Sequence, residues 1–128
     1  MARRRTHGRR DDSGATTVEI AVLLPLMLLL LMAVVQVGLW FHVRAVMTTA
    51  ANKAVDATRS DAATTADGEQ AATEFLTHTA ALDDIVIDVD RGPEGARAEI
   101  SGEVVSLMFG APITVTVVAE APIETIEP

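Results

Sequence analysis

The chain of 128 residues contains no cysteine. Disulfides, thiolate catalysis, cysteine-ligated zinc and iron–sulfur clusters are therefore excluded. Aromatic residues make up only 3% of the sequence, too few to interleave with basic residues as in a nucleic-acid surface. Catalytic signatures are missing too. There is no P-loop and no dinucleotide fingerprint, and Ser106 has neither a nucleophile elbow around it nor a histidine downstream. The three histidines, His7, His42 and His78, lie far apart, and a metal site needs several donors together. The carboxylate-rich DDIVIDVDRGPE lacks the twelve-residue calcium loop with its terminal bidentate glutamate. The chain is expected to be no enzyme and to carry no metal or cofactor.

One stretch lacks charge altogether. From Ile20 to Phe41 there are 22 positions without an ionisable acid or base, broken only by Pro25, Gln36 and Gly38. As a helix this run is ~33 Å long, enough for a hydrocarbon core of ~30 Å. It is too long for the apolar region of a secretory signal, and the remaining chain is too small and polar to bury it. A retained membrane span is expected over 15–42. Before Gly14, five arginines face two aspartates, a net of +3. After Arg44, four cations face fifteen acids, a net of −11. Basic flanks stay in the cytoplasm. Residues 1–14 are thus expected as a basic cytoplasmic leader and 43–128 as an extracytoplasmic domain, in a single-pass protein of the cell membrane. The short arginine cluster is read as a topology signal, with no nucleic acid as partner.

Trp40 and Arg44 suit the outer interface as anchors. Beyond them, Val43, Val46, Met47, Ala50, Ala51, Ala54, Val55 and Thr58 recur at helical spacing, so the span should continue outward as an amphipathic helix to about Arg59. Pro25 removes one backbone hydrogen bond within it and should kink it. A polar connector is expected around Asp67 and Gly68. A second, shorter helix should follow, burying Ala72, Phe75, Leu76 and Thr79. After Asp84 the period changes to two. Ile85, Ile87 and Val89 mark one strand. GPEG (92–95) is a turn, and Ala96, Ala98, Ile100 and Val104 mark a second strand. FGAP breaks the pattern, and Ile113, Val115, Val117 and Ala119 mark a third. Pairing Arg91 with Ala96 sets Val89 against Ala98 and Ile87 against Ile100. It also sets Asp90 against Arg97, a favourable pair, and Asp88 against Glu99, an unfavourable one. The expected fold is α+β, a long helix and a short one against a three-stranded antiparallel sheet.

Glu19 is out of character at the start of an apolar run. It can snorkel to the interface or favour the positive end of the helix dipole. Another reading uses its neighbours. Cleavage after Gly14 would leave Ala15 with a free α-ammonium and make Glu19 the fifth mature residue. A carboxylate in low dielectric needs a cation, and a neighbouring copy's amine would supply one.

The stretch GATTVE resembles the type IV prepilin cleavage motif. More narrowly, SGATTVEIAVLLPLMLLLLMAVVQVGLWF resembles the N-terminal signature of TadE-like proteins, minor pseudopilins of Flp (tight adherence) pilus systems. The matching residues are Gly14, Val18, Glu19, Pro25, the leucine run, Gln36, Val37 and Gly38. Ile20, where the family often has an aromatic residue, and Gln36, where an acid is common, depart from it. The resemblance implies a pilin-like fold without catalytic activity and cleavage between Gly14 and Ala15 by a prepilin peptidase. Its implied partners are other pilins or pseudopilins and pilus-assembly membrane proteins. The alternative is an unprocessed, single-pass anchored domain that binds a ligand outside the cell.

Overall fold

The fold is that of a computed structural model, which describes residues 13–60, 62–79, 82–108 and 110–123. Residues 1–12, expected as most of a basic cytoplasmic leader, lie outside them, and so do their arginines and His7.

Helix α1 runs from Ser13 to Thr58, 46 residues in one element that passes through Pro25. Leucine, alanine and methionine, good helix formers, make up 19 of its 46 residues. Pro25 has no N–H to offer the carbonyl of Ala21, yet the helix continues on both sides. Its two halves differ in surroundings. An 18-residue window in the apolar half has a mean hydropathy of 2.8, with none of its residues buried. From Val43 onward the expected stripe turns inward. Val43, Val46, Met47, Ala50, Ala51, Ala54, Val55 and Thr58 are all buried.

The sheet covers that stripe. Strands β1 (Asp83–Arg91), β2 (Ala96–Val104) and β3 (Ile113–Ala121) form an antiparallel meander in the order β1-β2-β3. Register follows the turn. Arg91 pairs with Ala96, Val89 with Ala98 and Ile87 with Ile100, and Gly92 N–H donates to Gly95 O at 2.9 Å to close the turn. A shift between Asp83 and Val86 breaks the ladder, with Asp84 at a positive φ of 49°. Bulged residues near strand ends tolerate this, and Asp more readily than most. Val115, Val117 and Ala119 face inward as expected, whereas Ile113 stays 36% exposed because the edge strand leaves the core there.

The connector is shorter than its composition indicates. Helix α2 spans Thr65–Thr79 and takes in both Asp67 and Gly68. Thr64 precedes it as a cap, its N–H and hydroxyl donating to Asp67 Oδ2 at 2.7 and 2.9 Å. This is the reciprocal half of a capping box, with Asp in place of the usual Glu. Gly68 is there for proximity. A Cβ on it would stand 2.2 Å from Thr58 Oγ1 and 2.8 Å from the carbonyl oxygen of Ala54. Ala72 and Leu76 are buried on the same face and Phe75 packs beside them. Thr79, the last residue of the helix, is exposed rather than buried.

The core is thin and alanine-rich. Among the described residues its largest fully buried apolar side chains are Met47, Leu76 and Ile100. Each contributes about 1.5–3 kcal/mol by burial. Arg91 ties the sheet to the helical hairpin by donating to the carbonyl of Ala63.

Candidate functional site

The sequence singles out two places along α1, one at each end of its apolar half. At the N-terminal end, Gly14 and Glu19 are both exposed and helical. Because α1 starts at Ser13, the Gly14–Ala15 peptide lies in its first turn. A Cβ on Gly14 would meet nothing within 4 Å, so among the described residues no packing demands a glycine there. Among the described residues no cation pairs with Glu19. The next described arginine along the helix is Arg44, 25 residues on, ~37 Å away at ~1.5 Å per residue. Gly14, Ala15 and Glu19 thus lie in the first turns of one helix, with the Glu19 side chain exposed.

At the other end, Trp40 and Arg44 meet. The Arg44 guanidinium lies 5.3 Å from the centre of the Trp40 ring. Phe41 stands edge-on to that ring, 5.0 Å between centroids at 79°. Trp40 is half-exposed and also packs on the domain core. A cation over indole with an aromatic neighbour combines a polar and an apolar surface, as interface anchors do.

Gln36 was legible only as an interruption of the apolar run. Its Oε1 accepts a hydrogen bond from the backbone N–H of Leu107 at 2.8 Å, across 71 residues of sequence. Its Nε2 is buried without an acceptor among the described residues. A lone carboxamide in a long apolar stretch is itself the signal, because such a group requires a partner.

Among the described residues, no group of three or more His, Cys, Asp or Glu could hold a metal ion. His42 and His78 are exposed on different helices. On the wet face of the sheet Asp88 faces Glu99 and Asp90 faces Arg97, as the register requires. The guanidinium, however, turns to Glu99 at 3.1 Å and Glu120 at 3.7 Å. β2 is the central strand, so Arg97 also has acidic competition from β3. Between α1 and α2, Lys53, Asp56, Glu74, Phe75 and His78 line a shallow groove, with the Lys53 ammonium 5.3 Å from the centre of the Phe75 ring. Among the described residues the carboxyl clearly shifted from its ordinary value is Asp67, held low by its hydrogen bonds to Thr64.

Residues 14–56 match the family model described as TadE-like protein. The match covers about a third of the chain, beginning at Gly14 and ending two residues before α1 does. The TadE-like resemblance holds over that stretch. No curated protein and no solved structure matches the chain.

Proposed function

We propose that this chain is a non-catalytic, single-pass pseudopilin-like component of a Flp-type pilus or a related secretion apparatus. The observation that carries the reading is the TadE-like match over 14–56, which takes in Gly14, Glu19 and the outward continuation of the helix. The leader to residue 14 is cytoplasmic, 15–42 crosses the membrane, and the domain from 43 onward stands outside. A prepilin peptidase cuts between Gly14 and Ala15. The helix ends within a turn of that bond, and end turns fray, so the peptide can open for cleavage.

Glu19 then serves assembly. Its carboxylate pairs with the Ala15 α-ammonium of an adjacent copy or a related pilin, which offsets the cost of holding a charge near hydrocarbon and fixes the stagger between helices. Glu19→Ala leaves insertion intact, because the segment only becomes more apolar. It lowers co-purification with pilus-assembly membrane proteins. Gly14→Val blocks cleavage instead, since a branched side chain prevents close approach to the backbone. A Glu19→Ala protein that binds its assembly partners as well as the parent does would remove the role given to this carboxylate.

An unprocessed anchored domain is the second reading, and the helical state of the Gly14–Ala15 peptide favours it. Its mark would be a chain that keeps its leader and still functions.

A further inference from the structure

We propose that residues 105–108, which follow β2, are a second membrane contact, seated in the outer leaflet beside α1. The proposal rests on the reading of the apolar half of α1 as a membrane span.

Depth comes from the hydrogen bond between Leu107 N–H and Gln36 Oε1, 2.8 Å long. Gln36 lies four residues on the membrane side of Trp40, ~6 Å deeper along the helix axis. If Trp40 marks the interface, Leu107 sits below it. Shading of the helix agrees. From Ile20 through Phe41 every residue is exposed except Ala33, Gln36 and Trp40, which are half-exposed. Their 3,4 spacing places them on one face, continuous with buried Val43 and Met47. The domain's contact line therefore runs past Trp40 and down the span.

The chemistry of the segment fits lipid. Val105, Leu107 and Met108 are 63%, 46% and 39% exposed. No charged residue occurs between Glu103 and Glu120, although the exterior part of the chain is strongly acidic. Charge resumes at Glu103 and at Asp83, which faces it across the sheet. Irregular backbone at membrane depth must have its polar groups satisfied by protein. The Gln36 carboxamide does this for Leu107, which accounts for a polar residue within the apolar run. The exposed side chains of Val105, Leu107 and Met108 are apolar, and the Gln36 bond holds Leu107 beside α1. Lipid is therefore the occupant of this apolar surface, ahead of a second copy of the chain.

The absence of cysteine makes the test clean. Single variants Leu107→Cys, Val34→Cys and Thr73→Cys are labelled with a polarity-sensitive fluorophore, and the full-length protein is reconstituted into phosphatidylcholine vesicles carrying acyl-chain nitroxides. Val34 is an exposed position in the span and Thr73 an exposed one on α2. Leu107→Cys keeps the backbone donor, and Met108→Cys serves as a second probe of the same segment. The expected result is blue-shifted emission and several-fold stronger quenching at Leu107 and Val34 than at Thr73. Quenching at Val34 with a Leu107 probe as wet as Thr73 overturns the second contact and leaves the span standing. A blue-shifted Leu107 probe that lipid nitroxides do not quench overturns it in favour of a protein neighbour. No quenching at Val34 removes the span and the proposal together.

Discussion

Gly68→Ala is the substitution on which local propensity and tertiary packing disagree most. By propensity alone, alanine in place of a helical glycine stabilises by about 1 kcal/mol. The added methyl carbon, however, would lie 2.2 Å from Thr58 Oγ1, 2.8 Å from Ala54 O and 3.2 Å from Val89 Cγ1. The Thr58 hydroxyl can rotate away only by giving up its 2.8 Å bond to Ala54 O, a loss of about 1 kcal/mol. The Ala54 carbonyl is backbone and cannot rotate, so α2 must slide off α1, an overpacking cost of about 1–3 kcal/mol. Together these leave a net destabilisation of about 1–3 kcal/mol. Hydrogen exchange of α2 amides in the detergent-solubilised protein reads this as faster opening of the hairpin. Combining Gly68→Ala with Thr58→Ala removes the nearest clash, so the double variant should lose less than the two single losses added. Slower exchange in Gly68→Ala than in the parent would refute the close approach and leave propensity in charge.

Three further outcomes are expected. Asp67→Asn should weaken the start of α2 at neutral pH. Because the folded Asp67 carboxyl is held below its ordinary value, its contribution is complete above that value and is lost as pH falls through the lowered one. The gap between parent and variant in exchange at the α2 N-terminus should therefore close under acid; a gap constant with pH would contradict the cap. Ile100→Ala should cost about 2–5 kcal/mol in a denaturant titration, because it leaves a cavity where a fully buried side chain stood. Asp88→Asn should be neutral or slightly stabilising in the same titration, since Asp88 faces Glu99; a large loss there would mean that the strand faces are exchanged.

Periodicity and turn chemistry made most of the architecture readable. The stripe from Val43 to Thr58 was legible because helical spacing persists after the apolar run ends. The β1–β2 register was legible because the four-residue turn leaves few ways to join two strands that must both put apolar residues inward. Composition misled around Asp67 and Gly68, which have turn-forming character in isolation. Asp67 is a capping residue for Thr64, and Gly68 is required by helix-to-helix distance, which no local window contains. Arg97 shows the same limit. Pairwise register places it opposite Asp90, while the choice of partner depends on β3 as well. At the candidate site, Glu19 and Gly14 stand out by chemistry alone. The contact between Gln36 and Leu107 does not, because it joins residues 71 positions apart.

The identity of the mature N-terminus tests the central claim most directly. The full-length chain is expressed in cells that contain a prepilin peptidase and in cells that lack one, then extracted from the membrane for intact-mass measurement. With the peptidase present, the account predicts a chain beginning at Ala15; without it, the leader remains and Gly14→Val behaves likewise in both. A membrane-extracted chain that keeps its original N-terminus in the presence of an active peptidase would contradict the pilin reading and leave an anchored exterior domain in its place.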